Sequence, residues 1–344
     1  FSVLTACIPG QIMRIFTADP VLIEKGAVYL RTVSLSFVLT GFTQIYYGLL
    51  KVCDHAGLSS MIGSLAVVLN IALNAVFIFG LVGMPAMGIA GAALATVCAR
   101  IFETIAVIIV VTKYKCPKLG NMLVIKDRQT HKDYWKYTTP LLVNQIGWGG
   151  GVTMYSVIMG HMGSDATAAN SIASIVRTII ASLCWGIAAG VSIIIGQTLG
   201  QNKLEEAKKM GGKFVRLSIW IGAASGLVIL LLIPLVLRVI TLTPQAMYYL
   251  KFMLCMAAYY IIGNSLNSTI ISGIFPAGGD TKFGMICDVV TLWCFVVPLG
   301  MLAAFVWHAP VLLVAFILTL DEFVKIPAVY IHYMKYKWVK NITR

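Results

Sequence analysis

Charge is what this sequence has least of. Asp, Glu, Lys and Arg together make up 11% of its 344 residues, against roughly 25% in an ordinary soluble domain. With 59% hydrophobic residues and a mean hydropathy of +0.89, the chain has too little polar surface to face water, and most of it is expected in lipid. Its eight cysteines form no C-x-x-C pair and mostly lie inside apolar runs, where cysteine serves as a small hydrophobe. That excludes a disulfide framework and a structural zinc. The five histidines sit at or beyond the ends of apolar segments, so none is placed for catalysis or metal ligation within a bilayer, and no metal and no cofactor are expected. H-E-x-x-H and G-x-S-x-G are both missing. An intramembrane enzyme needs a metal, or a nucleophile with its base, so the chain does not read as an enzyme. The formal charge of +13 comes without a basic run interleaved with aromatics, which excludes nucleic acid as a partner.

What is present is a series of long apolar stretches. Crossing the hydrocarbon core takes about 20 apolar residues in a helix. Nine complete candidates meet that length, over residues 29–50, 61–80, 88–112, 137–160, 168–199, 214–240, 248–275, 283–305 and 310–334. A tenth, 1–16, opens inside an apolar run with no Met and no basic region before it, unlike a native start or a signal peptide. The chain is expected to continue upstream. Lys and Arg fall in every second connection: at Lys51, from Lys113 to Lys136, from Lys203 to Arg216, at Lys282, and in the tail from Lys335 to Arg344. The alternate connections, 80–87, 161–167 and 307–309, hold none. Positive residues mark the cytoplasmic side, which predicts a multi-pass protein of the cell (inner) membrane with a cytoplasmic C-terminus.

The charged connection 113–136 divides the chain. Before it lies a partial N-terminal lobe, 1–112, and after it a six-span C-terminal lobe, 137–344. The two lobes share weak internal similarity: Tyr29-Leu30-Arg31 opens a span as Tyr249-Leu250-Lys251 does, and Ala56-Gly57 and Ala277-Gly278 each follow a span as a turn. Internal repeats of this kind mark transporters. A repeat interval near 220 residues leaves about two and a half helices to be expected before Phe1.

Several stretches look familiar. Leu69-Asn70-Ile71-Ala72-Leu73-Asn74, Ile78-Phe79-Gly80 and Gly88-Ile89-Ala90-Gly91-Ala92-Ala93-Leu94-Ala95-Thr96 are followed by Gly196-Gln197-Thr198-Leu199-Gly200, Gly278-Gly279-Asp280-Thr281 and the tail Lys337-Trp338-Val339-Lys340-Asn341-Ile342-Thr343. As an ordered set this resembles the MATE (multidrug and toxic compound extrusion) transporters, from their third helix to their twelfth. The resemblance implies an all-α polytopic membrane protein of two six-helix lobes, about nine and a half helices of which lie in this chain. It also implies a monomer among membrane lipids that exports amphipathic, often cationic, drugs and toxic compounds. Substrate would sit in a central cleft, and alternating access would be coupled to Na+ or H+. The alternative within the same superfamily is a flippase for lipid-linked oligosaccharides. Such a flippase would line its cavity with several arginines or lysines, and here the cations within spans are few.

Polar groups deep in a bilayer are costly, so each is a functional candidate with a structural alternative. Asn70 and Asn74 are i, i+4 neighbours, and Thr96 lies on the helix that returns alongside. Together they offer three neutral oxygens. In MATE relatives the matching positions help to form a cation or proton site, often with an aspartate where Asn74 stands, so these three are the ion-coupling candidates. Their structural reading is an asparagine bridge between helices. Asn144 and Gln145 follow Pro140, with Trp148 and a triple glycine beyond; many relatives carry a glutamate near Gln145, which itself cannot titrate. With Tyr155 and Tyr259, these residues are the substrate-cavity candidates, since aromatic faces attract lipophilic cations. Tyr46, Tyr47, Trp185, Tyr260 and Trp293 belong to the same aromatic pool. Asp321, Glu322 and Lys325 lie in the last span, where Asp321 and Lys325 are i, i+4 and expected to neutralise each other; Arg100 and Glu103 are expected to do the same at i, i+3. Asp288, close to the Gly-Gly-Asp turn, is expected to face cytoplasmic water. The small residues Gly88, Gly91, Ala92, Ala95 and Ala99 read as one packing face.

Overall fold

The computed structural model describes residues 2–16, 20–53, 55–114 and 128–341, and every regular element among them is helical. They fall into two compact units, Phe1–Lys126 and Asp127–Arg344.

The first unit holds α1 (Ser2–Cys7), α2 (Pro9–Phe16), α3 (Pro20–Val52), α4 (Ala56–Phe79) and α5 (Gly88–Lys113). The expected partial span 1–16 is two short helices, interrupted at Ile8, because a residue that precedes proline is pushed out of the helical region. Ala56-Gly57 is not a turn but the first two residues of α4. At the other end of α4, Gly80 takes the left-handed conformation, with φ 72°, and its N–H closes on the Val76 carbonyl. A Cβ at Gly80 would come within 2.8 Å of the backbone of Met84 and Ala86, so the tight corner after Ile78-Phe79 requires glycine. The small residues of α5 are buried on more than one face: Gly91, Ala93, Ala95, Val97 and Ala99 are all buried. The reason is that α5 is gripped by α3 on one side and α4 on the other. A side chain at Gly91 would meet the Phe77 carbonyl at 2.5 Å.

The second unit holds α6 (Arg128–His161), α7 (Ser164–Gly200), α8 (Leu204–Val239), α9 (Pro244–Ala277), α10 (Thr281–Val306), α11 (Val311–Leu318) and α12 (Asp321–Met334). Since α6 starts at Arg128, residues 128–136 of the expected connection are helical; residues 115–127 lie outside the described ones, as do the last residues, 342–344, of the basic tail. Of the nine expected spans, seven are long and apolar enough to cross a membrane: α3, α4, α5, α7, α8, α9 and α10. The stretches 137–160 and 310–334 do not qualify. The first lies in α6, whose apolar run is diluted by Pro140, Asn144, Gln145 and glycines. The second is broken at Thr319 and Leu320 into α11 and α12, with the Thr319 hydroxyl turned back to the Phe316 carbonyl at 2.8 Å.

Large side chains stand exposed along the spans, Trp220 at 76% and Leu231 at 68%, as expected of a surface wetted by lipid rather than water. Between helices the packing relies on small residues. On α8, Gly222 and Gly226 let α9 approach so closely that a Cβ at Gly226 would sit 2.5 Å from the Ala258 carbonyl. Both α9 and α10 widen into π-helix, at Ser268–Ile274 and at Thr291–Val296 and Leu302–Val306. Pro276 and Pro298 stand just beyond the first two widened turns and deprive them of a backbone donor. After α12 the chain turns back and buries Trp338 completely. Its ring stacks on Tyr333 and lies against Gly211, and its backbone lies against Gly278.

Candidate functional site

Within the second unit, α6, α7, α9, α10 and α12 line a polar cavity of about 400 Å³. The widened turn of α9 brings Ser268 and Ser272 to its wall, and α12, by starting afresh at Asp321, brings Glu322 and Lys325 there with it. Lys325 is 5% exposed. Its Nζ lies 2.8 Å from Asp288 Oδ1 on α10 and 3.2 Å from Glu322 Oε2.

The expected partnership of Lys325 with Asp321 is therefore not the one formed. Consecutive helical residues point about 100° apart, so Asp321 and Glu322 serve different spaces. Glu322 lines the polar cavity, and Asp321 lines a smaller one, of about 50 Å³, with Tyr155, Arg177 and Tyr260. The place left open beside the lysine is filled by Asp288. Far from facing cytoplasmic water, Asp288 has a side chain only 12% exposed.

Each carboxylate of the cavity is further held by amides. Asn144 donates its Nδ2 to Asp288 Oδ2 at 3.0 Å. Asn264 donates to Glu322 Oε1 at 3.1 Å, and Asn267 to Glu322 Oε2 at 2.7 Å. The Oδ1 atoms of all three asparagines are buried and have no hydrogen-bond partner. Trp148 and Trp185, edge to face with ring centroids 5.9 Å apart, form an aromatic wall, and Gln145 lines the cavity beside them.

The other cavity candidates lie elsewhere. Tyr155 lines the small cavity and a third one of about 160 Å³. Tyr259 lines none of the three; its hydroxyl is paired with Thr319, and its ring packs against Phe316 and Phe323. Trp293 donates its Nε1 to the Gly147 carbonyl at 2.9 Å, and Arg177 lies over the Tyr260 ring, 5.0 Å from its centroid. Asn264, Asn267 and Arg177 were not singled out from the sequence. Two asparagines at i, i+3 within an apolar span were the available signal, since each is expensive there.

In the first unit Asn74 donates its Nδ2 to Asn70 Oδ1 at 3.0 Å, and both side chains are half-buried. Thr96 donates its hydroxyl to the Ala92 carbonyl of its own helix at 3.0 Å. Arg100 and Glu103 form an ion pair, with Glu103 1% exposed and its Oε1 accepting from the Tyr47 hydroxyl at 2.7 Å.

These features can be set beside known proteins. The chain is 26% identical over 236 residues to the uncharacterized transporter YisQ of Bacillus subtilis, which spans 68% of this chain and 52% of that one. It is 23% identical to the probable multidrug resistance protein NorM of Thermotoga maritima, over 87% of this chain and 65% of the relative. It thus spans about half to two thirds of the length of these curated relatives. In fold it is similar to the crystal structure of the Vibrio cholerae MATE transporter VcmN in the bent form, with a TM-score of 0.76 at 15% identity, over 98% of this chain and 75% of that one. A crystal structure of MATE in complex with MaL6 matches with a TM-score of 0.83 at 16% identity, covering 98% and 76%. The MatE family model matches residues 1–76 and 140–332, and with the greater part of the chain so covered, this protein belongs to the MatE family of membrane transporters.

Proposed function

We propose that this protein exports amphipathic, often cationic, compounds across the cell membrane in exchange for Na+ or H+, by alternating access. The observation that carries this reading is the 400 Å³ cavity of the second unit, whose wall combines two tryptophans with two carboxylates. Aromatic faces and an acidic wall suit a lipophilic cation. A lipid pyrophosphate would need cations free to meet it, and the lysine of this cavity is already engaged by both carboxylates. In this reading the protein works as a monomer, with its C-terminus in the cytoplasm, a side that the placement of Lys and Arg supports, and its coupling ion draws on Asn70, Asn74 and Thr96. The test is dye efflux. Expressed from its own gene in cells stripped of their multidrug exporters, the protein should lower accumulation of a fluorescent cationic dye, and discharging the ion gradient should restore it. Accumulation equal to that of empty-vector cells, with the protein present in the membrane fraction, refutes the reading.

A further inference from the structure

Arg177 is a charge that the fold leaves without an acceptor. It lies well inside the span α7, half-buried, and among the described residues it makes no ion pair and no hydrogen bond; what its guanidinium meets is the Tyr260 ring, 5.0 Å from the centroid. A ring face attracts the charge but gives no lone pair to the five N–H groups of a guanidinium. An ionisable side chain held in a span at such cost marks a ligand path. We infer that Arg177 anchors the carboxylate of a small lipophilic organic acid in the 160 Å³ cavity lined by α6, α7, α9 and α11. A second donor points to the same place. Tyr155 on α6 lines this cavity, is only 9% exposed, and has a buried hydroxyl without a hydrogen-bond partner. Such a hydroxyl costs free energy until an acceptor arrives, and a carboxylate oxygen beside Arg177 supplies one. Asn170, two turns before Arg177 on the same wall of α7, adds amide N–H groups. Much of the remaining wall is apolar, with Met159, Met253 and Met256, side chains that adapt to bodies of differing shape. Charge and geometry select the ligand. A guanidinium matches a carboxylate bidentately. Asp321 lines the smaller cavity that Arg177 also borders, without forming an ion pair with it, so a monovalent guest leaves one negative charge in excess and a phosphate dianion leaves two, which a setting of low dielectric disfavours. The volume admits a body of one or two rings rather than a long acyl chain. This inference goes beyond the cationic substrates proposed above. It concerns binding, and it stands whether or not the acid is exported.

The test is isothermal titration calorimetry of the whole chain in a non-ionic detergent at neutral pH, with 2-naphthoate as the probe, 2-naphthamide as its uncharged counterpart and empty micelles as the blank. The parent should bind the naphthoate about tenfold or more tighter than the amide. Two variants remove the guanidinium: Arg177→Gln, and Arg177→Gln with Asp321→Asn, which keeps the parent's net charge and strands no carboxylate. Both should bind naphthoate about tenfold or more weaker than the parent. Tyr155→Phe should lose affinity by about tenfold while melting no lower than the parent, because its hydroxyl gives up no bond in the free protein; a lower Tm with unchanged affinity would make that hydroxyl structural and overturn the inference. So would equal affinity of the parent for naphthoate and naphthamide, or a folded double variant that binds naphthoate as tightly as the parent. Binding seen only in Asp321→Asn would show that Asp321 keeps the guanidinium for itself, and displacement of naphthoate by an equal concentration of inorganic phosphate would show a phosphate site; either result refutes the assignment.

Discussion

Removing Lys325 should damage the protein in a way that only one of two nearby aspartates can repair. At 2.8 Å and an effective dielectric near 20, one charge pair is worth about 6 kcal/mol before desolvation is counted. The net cost of breaking a buried pair by deleting one partner is about 3–5 kcal/mol. Lys325→Ala is therefore expected to destabilise the second unit by that amount in sodium-free buffer, because Asp288 and Glu322 are left facing each other. Asp288→Asn in the same chain removes one of the two stranded charges and can still accept from Asn144, so it should recover at least half of the loss. Asp321→Asn should recover little, about 1 kcal/mol at most, since Asp321 faces the cavity of Tyr155 and Arg177 and its charge acts on the cluster only from a distance. The assay is unfolding in mixed micelles of rising SDS content, read by tryptophan fluorescence, on the parent, the single variant and both double variants. Recovery by Asp321→Asn as large as that by Asp288→Asn would return the partnership to the i, i+4 pair and refute the geometry described above.

Three further outcomes are expected. Gly226→Ala should cost about 1–3 kcal/mol in the same assay, because its Cβ meets the Ala258 carbonyl at 2.5 Å; Gly212→Ala on the same helix, where nothing lies within 4 Å, should gain up to about 1 kcal/mol, and equal effects would contradict the close approach of α8 and α9. Single cysteines placed in the 113–136 connection and at Lys337 of an otherwise cysteine-free chain should react with an impermeant maleimide from the cytoplasmic side, and cysteines at 161–167 from outside; the opposite pattern inverts the topology. Asn70→Ala should reduce gradient-driven dye efflux while leaving the amount of protein in the membrane unchanged, and efflux equal to the parent's across a range of sodium concentration and pH would remove Asn70 from coupling.

Much of this protein was legible in its sequence, for a physical reason. A chain with 11% charged residues has to satisfy its backbone polar groups internally once it is in lipid, in helices or in a closed barrel; apolar runs of about 20 residues select helices, and run length placed seven of the spans. Ordered local motifs carried the family, since corners such as Gly80 depend on the backbone conformation of a few adjacent residues. The i, i+3 pair of Arg100 and Glu103 was likewise readable from helical spacing. Tertiary structure decided what spacing cannot express. Asp321 and Asp288 both lie within reach of a lysine on paper, one four residues away and the other 37. The choice between them depended on where α12 begins and on which neighbour α10 presents to it. The same holds for Asn264 and Asn267, whose amides meet Glu322 only because α9 and α12 pack side by side, and for Tyr259, drawn out of the cavity by Thr319 at the break before α12. Helical periodicity reports which residues share a face of one helix. Which faces meet, and which buried charges are neutralised by which partners, is settled only when the helices pack.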